Sequence, residues 1–270
     1  MNINELFSLK GKVAVVTGAC GLLGKQHCRA LSEAGAFVVV ADTTVNSAKE
    51  VAKKIGPQHL GIAMDVTDKI SVETAQKKIL EAYGRVDVLI NNAAINDMFE
   101  NPLLATEQSM FENYPLSSWK QSLEVNITGV FLCSQVFGMT MVKQGGGSII
   151  NIASTYGVTA PDQSIYKNEK GEQLFFKSAV YPVTKSAVIG FTRYLASYWG
   201  NKKVRVNALS PGGVENNQDN FFIKQYSDRT LLGRMAAPDD YKGAIVFLAS
   251  DASSYMTGAN LIIDGGWTAI

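Results

Sequence analysis

The sequence predicts an α/β fold: a doubly wound, parallel, seven-stranded sheet with helices on both faces, in one domain spanning 1–270. Three observations predict it. Short β-branched runs alternate with longer segments of helical period. Several of those runs are apolar on both faces, as a sheet covered on both sides requires. The first run passes into a glycine-rich turn that opens a helix, TGACGLLGK. Strand–helix repetition of this kind gives a parallel sheet with right-handed crossovers. Ligands in such sheets bind beyond the carboxyl ends of the strands, so chemistry is sought there.

The strands are expected at VAVVT (13–17), FVVVA (37–41), GIAMD (61–65), VDVLI (86–90), SIINIA (148–153), VRVNAL (204–209) and NLIID (260–264). Amphipathic stretches near 22–34, 46–55, 69–83, 117–143, 179–199 and 238–250 supply the helices. Two connections, about 95–116 and 157–178, are too long for simple turns, and such loops are usually functional or disordered. Both carry aromatics: Phe99, Phe111 and Tyr114 in the first, Tyr166, Phe175 and Phe176 in the second. A third irregular stretch, 211–219, precedes the aromatic-rich NFFIKQYSDR. There is no linker and no internal repeat.

Composition narrows the function. With 25 Lys+Arg against 24 Asp+Glu there is no basic field for nucleic acid or an anionic membrane surface. Apolar runs such as 13–16 and 37–41 are too short to cross a bilayer, and the first residues lack the pattern of a secretory signal. Cys20, Cys28 and Cys133 cannot all pair and have no metal-ligand spacing, so they read as free thiols in a reducing compartment. Two histidines leave little for a metal site or a Ser-His-Asp triad, and none is expected. A cytoplasmic protein with a small-molecule partner is the expectation.

At the first strand's end Gly18 allows a tight turn, while Gly21 and Gly24, flanking Leu23, let backbone and helix approach a pyrophosphate closely. Asp42 ends the second strand. There it either accepts hydrogen bonds from an adenosine ribose, which would favour NAD over NADP by repelling a 2′-phosphate, or serves as a turn or N-cap residue. Lys25, at the start of the helix, reads as a solvated lysine.

The chain resembles single-domain members of the short-chain dehydrogenase/reductase family, whose fold is Rossmann-type. The resemblance rests on TGACGLLG (17–24), NNAA (91–94), Asn126 in EVNITG, Ser154 in NIAST, YPVTK (181–185) and PGG (211–213), in the family's order. Leu22 and Ala94 stand where the family has glycine, and Asn216 where many relatives have threonine. The gap from Ser154 to Tyr181 is also longer than usual. The resemblance implies a dehydrogenase or reductase in which Tyr181 is the acid/base and Lys185 holds the nicotinamide ribose. It further implies that Ser154 holds the substrate oxygen and that Asn126 positions a relay water. Asp65 and Val66 resemble the pair that contacts adenine, although Asp65 can equally cap the next helix. Asn92 and Ala93 would line the site, Pro211 and Gly212 would shape the nicotinamide wall, and Val214 would meet its amide. A homotetramer or dimer is also implied.

The chemistry accounts for these residue types. A free tyrosine, with a pKa of about 10, is a poor base at neutral pH. A nearby ammonium stabilises the phenolate, and residues four apart on a helix share a face. The long loops mix amides and aromatics (Asn96, Gln163, Tyr166, Asn216, Gln218), which leans toward a sugar, polyol or sugar derivative. The GLLG turn and SPGGVENNQ are also similar to segments of oxidoreductases in bacterial surface-sugar pathways. Aromatics on the later helices (Phe131, Phe137, Phe191, Tyr198, Trp199) are expected to meet a neighbouring subunit or to fill the core. Two alternatives stand beside the dehydrogenase. One is an NAD-using nucleotide-sugar epimerase or dehydratase, whose relatives usually carry a larger C-terminal domain. The other is an NAD-binding sensor or scaffold, which would be expected to lose part of the Ser-Tyr-Lys set.

Overall fold

The computed structural model describes residues 2–96 and 106–270; Phe99 lies outside them. The strands are β1 (Val13–Thr17), β2 (Phe37–Asp42), β3 (Leu60–Ala63), β4 (Val88–Asn91), β5 (Gly147–Ile152), β6 (Val204–Pro211) and β7 (Asn260–Ile263). They form one seven-stranded sheet in the order β3-β2-β1-β4-β5-β6-β7, and every pairing is parallel. The strand order reverses between β1 and β4, which is where a doubly wound sheet opens a crevice.

Among the described residues the α-helices of five residues or more are α1 (Ile3–Phe7), α2 (Leu22–Glu33), α3 (Val45–Ile55), α4 (Lys69–Tyr83), α5 (Leu116–Gln144), α6 (Val180–Trp199), α7 (Asn220–Ser227) and α8 (Lys242–Ala249). Side chains of β1 alternate between two cores, as a period of two requires. Val13 and Val15 face the core covered by α4, α5 and α6, where Ile79, Phe137 and Trp199 pack. Ala14 and Val16 face the core covered by α2, α3 and α8, where Leu31, Val51 and Tyr241 pack.

Several expectations are corrected. Val86 and Asp87 precede β4 because the Asp87 carboxylate is spent on the turn: it accepts the Val13 N–H at 2.8 Å and pairs with Arg85 at 2.6 Å. β3 stops at Ala63 because its partner β2 ends opposite at Asp42. α8 begins at Lys242 rather than near 238, since Asp240 pairs with Arg234 and accepts the Ala237 N–H in the turn before it. α1, held by an Asn2–Glu5 capping box, was not anticipated, nor was α7, capped by Asp219.

α5 is long and apolar enough to cross a membrane by length and composition. Its apolar face is accounted for by Cys133, Val136, Phe137 and Met141, all buried against the sheet. Phe137 and Trp199 therefore belong to the core and not to a subunit contact, and Gly138 leaves the space that Trp199 fills. Phe131 and Tyr198 remain exposed. The three cysteines are unpaired.

Candidate active site

Four loops beyond the strand ends enclose two adjoining cavities. The first, of about 610 Å³, is lined by Gly18, Gly21, Leu23, Gly24, Asp42, Asp65, Val66, Asn92 and Ala93, all expected cofactor residues. Its floor is set by backbone geometry. Gly18 has φ +57°, and a Cβ there would come within 2.7 Å of the Ala93 Cα. At Gly24 a Cβ would press on the Gly18 carbonyl and lie 2.7 Å from the Ala19 Cα. α2 opens on Gly21, which offers no side-chain cap, so the helix N–H groups face the cleft. Asn92 locks this turn to the next loop, donating to the Thr17 and Gly18 carbonyls at 2.9 and 3.0 Å.

Asp42 is not the N-cap of α3; Thr44 stands there. Its carboxylate accepts the Cys20 N–H at 2.8 Å and the Thr43 N–H at 2.9 Å, which holds it at the cleft. Asp65 is likewise not a helix cap, since Asp68 caps α4 while Asp65 accepts from Thr67. Lys25 is exposed and outside the cavity wall.

The second cavity, of about 470 Å³, is lined by Ser154, Tyr181, Pro211, Gly212 and Val214, and shares Leu23 with the first. Asn96, Tyr166, Asn216 and Gln218 also reach its wall. Gln163 does not: its side chain holds the backbone of Lys177. The sequence reasoning missed Lys177 and the aromatic wall of Tyr156, Phe222 and Tyr226. Lys177 does carry a signal, standing four residues before Tyr181 as Lys185 stands four after.

Tyr181 is in the first turn of α6, and Lys185 follows one turn later on the same face. The Lys185 ammonium, buried behind the cavity, donates to the Ile152 carbonyl at 2.8 Å and lies 5.7 Å from the Tyr181 ring centroid. Burial pulls its pKa down to about 8. Burial raises the Tyr181 phenol, and the hydrogen bond with Ser154 opposes that shift. Neighbouring Tyr156, Tyr166 and Tyr226 are also pushed upward, chiefly by burial.

Asn126 is buried in a π turn (Glu124–Thr128) of α5. Its side chain is spent on the Ile95 backbone (2.8 and 3.1 Å) and on Thr184 (3.2 Å) and does not reach the cavity wall.

The comparisons agree with this geometry. A family model described as enoyl-(acyl carrier protein) reductase matches residues 18–268. The chain is 34% identical to the D-threitol dehydrogenase of Mycolicibacterium smegmatis, across 99% of this chain and 97% of that protein. The chain belongs to the short-chain dehydrogenase/reductase family. The NAD-dependent glycerol dehydrogenase of Listeria innocua is also 34% identical, across 97% of this chain and 96% of that one. Among solved structures, a gluconate 5-dehydrogenase from Burkholderia cenocepacia, in complex with NADP and tartrate, superposes with a TM-score of 0.86. It is 28% identical, with both chains fully covered. As a short-chain dehydrogenase/reductase the protein is a nicotinamide-dependent oxidoreductase acting on CH–OH groups. The glycine turn, with no room for a Cβ and a bare helix N-terminus above it, fits the pyrophosphate of such a cofactor.

Proposed function

We propose that this enzyme interconverts a secondary alcohol and a carbonyl on a polyol or sugar derivative, with NAD as its preferred cofactor. The observation that carries the reading is the meeting of Ser154, Tyr181 and the Lys185 ammonium beside a cavity walled by amides and tyrosine hydroxyls. Its polyol-dehydrogenase relatives support the substrate class. A bound nicotinamide supplies or accepts the hydride. The chain's own residues manage the proton. Tyr181 takes it from the substrate hydroxyl in oxidation and returns it to the carbonyl oxygen in reduction. The Ser154 hydroxyl holds that oxygen, and the Lys185 ammonium offsets the phenolate charge that burial disfavours.

Gly18, Gly21 and Gly24 would hold the pyrophosphate, Asp42 the adenosine ribose, and Asp65 and Val66 the adenine. Asn92, Ala93, Pro211, Gly212 and Val214 would flank the nicotinamide end, with Lys185 on its ribose. The Asn126 side chain is engaged by Ile95 and Thr184, so in this arrangement it would not itself hold a relay water beside Lys185. Asp42 is the basis for NAD, because its carboxylate would face a 2′-phosphate. The surface-sugar resemblance of GLLG and SPGGVENNQ gives the substrate's expected source, and three unpaired cysteines fit a cytoplasmic site. Exposed Phe131, Tyr194 and Tyr198 form an aromatic strip on α5 and α6 that supports a homo-oligomer.

The test is nicotinamide absorbance across a panel of polyols, sugars and sugar acids, with Tyr181→Phe alongside. Turnover that falls on the order of 10²- to 10⁴-fold in the variant, with cofactor still binding, supports the reading. Turnover that survives in Tyr181→Phe would refute the assigned acid/base.

A further inference from the structure

Two segments far apart in sequence build the aromatic wall of the substrate cavity. Tyr156 and Tyr166 come from the stretch between β5 and α6, and Phe222 and Tyr226 come from α7. The four rings form one cluster with Trp267 of the C-terminal tail, and Tyr181 packs against it. Tyr166 meets Phe222 with ring centroids 5.7 Å apart, and Tyr226 stacks on Trp267 at 4.4 Å. The Tyr226 hydroxyl accepts the Gly213 N–H at 2.6 Å, so α7 also braces the backbone beside Pro211 and Val214.

Ring contacts of this kind hold the two segments together but leave them free to slide, since aromatic pairs accept a range of offsets. Arg229, two residues past the end of α7, supplies directional bonds between them. Its Nε donates to the Asp162 carboxylate at 2.6 Å, and its Nη2 donates to the Ser164 hydroxyl at 2.9 Å. Its Nη1 donates to the backbone and side-chain oxygens of Gln225 on α7, at 2.8 and 3.0 Å. One planar guanidinium therefore grips both segments at once, in a geometry that a lysine ammonium does not reproduce. Asp162 is well placed to pass the constraint on. It caps the short turn Gln163–Tyr166, where its other oxygen accepts the Ser164 N–H at 2.9 Å. Neither Arg229 nor Asp162 lines the cavity, yet Tyr226 stands one helical turn before the first and Tyr166 ends the turn that the second caps. The pair keeps 32% and 41% of its side-chain surface in water. Its contribution to global stability is accordingly small, and its effect falls on how the two segments sit against each other.

We propose that Arg229 is a positioning residue for the substrate: through Asp162 and Ser164 it clamps α7 to the β5–α6 segment and so fixes the aromatic wall against Tyr181. The inference rests on the polyol-dehydrogenase reading above for its kinetic probe.

The experiment measures kcat and KM for glycerol, erythritol, xylitol and glucitol at saturating NAD, in wild type, Arg229→Gln, Asp162→Asn and the double variant. Asp162→Asn removes the charge and keeps the cap, because an asparagine oxygen also accepts the Ser164 N–H. Losing a partly exposed, charge-assisted contact predicts a KM increase of roughly 3- to 10-fold in each single variant, with kcat within about twofold of wild type. The double variant should be no worse than the worse single one, since both remove the same contact. Arg229→Lys should recover only part of the loss. Lys224→Gln, which breaks the exposed Lys224–Asp228 pair on the same helix without touching the β5–α6 segment, should keep the wild-type KM. Amide hydrogen exchange gives a readout that needs no substrate. In Arg229→Gln both α7 and residues 157–178 should exchange faster, while β1 and α2 stay as protected as in wild type. Additive losses in the double variant, an equal KM increase in Lys224→Gln, or faster exchange confined to α7 would overturn the clamp. Faster exchange in both segments with no polyol turned over by wild type would support the clamp and count against the polyol reading alone.

Discussion

Gly24 stands so close to Gly18 that no side chain fits between them: a Cβ on Gly24 would press on the Gly18 carbonyl oxygen. Both obstacles, that carbonyl and the Ala19 Cα, are backbone, so neither can swing aside. Gly24→Ala must therefore move the turn whose shape sets the pyrophosphate site. We expect dinucleotide affinity, measured by quenching or enhancement of NADH fluorescence, to fall at least roughly tenfold. Overpacking of this kind costs about 1–3 kcal/mol of stability, which a denaturant midpoint would register. An alanine variant that binds NADH as wild type does would show that the cofactor lies elsewhere.

Asp42 offers a test of cofactor choice. Its carboxylate is fixed by the Cys20 and Thr43 N–H groups and lines the first cavity. A 2′-phosphate brought to the same place would meet like charge, which costs several kcal/mol. Wild type should therefore prefer NAD to NADP by about two orders of magnitude in kcat/KM. Asp42→Ala should move that ratio toward NADP by at least roughly tenfold, with weaker NAD binding as the ribose contact is lost. A wild-type preference for NADP, or a ratio that ignores the substitution, would remove Asp42 from the ribose site.

The parts of this site that could be read from the sequence are those tied to short-range geometry. Gly18, Asn92, Ser154 and Pro211 each sit at or just past a strand end, and apolar runs mark strand ends directly. Tyr181 and Lys185 lie one turn apart on α6, as their spacing of four requires of any helix. What stayed hidden depends on contacts between distant segments. Gln163 was a candidate ligand by composition, yet its amide bonds to Lys177, fourteen residues on, remove it from the cavity. Asn126 was placed by motif, but only the structure shows its side chain bound to Ile95 across thirty-one residues. Phe137 and Trp199 could not be assigned to core or surface from periodicity, because α5 and α6 are apolar on more than one face and Gly138 decides where Trp199 goes.

His27 is the buried group whose titration should be felt in stability. It lies on α2, is fully buried, and neither ring nitrogen has a hydrogen-bond partner among the described residues. Burial lowers its pKa from 6.5 to about 4. The sign follows from linkage. Above pH 6.5 the ring is neutral whether the chain is folded or unfolded, so it contributes no pH dependence. Between 6.5 and about 4 the unfolded chain takes up a proton that the native state refuses, and stability falls as pH drops. At about 1.4 kcal/mol per pH unit, the full interval corresponds to roughly 3 kcal/mol. Denaturant midpoints measured from pH 7.5 down to pH 5 should decline in wild type and decline less steeply in His27→Leu, the difference isolating this ring from the carboxylates that titrate lower down. Because an apolar side chain leaves no unsatisfied nitrogen in the core, His27→Leu should also match or exceed wild-type stability at pH 7.5, less any cost of its different shape. Parallel curves for the two proteins would mean that His27 finds a proton partner in solution and is not held neutral by its surroundings.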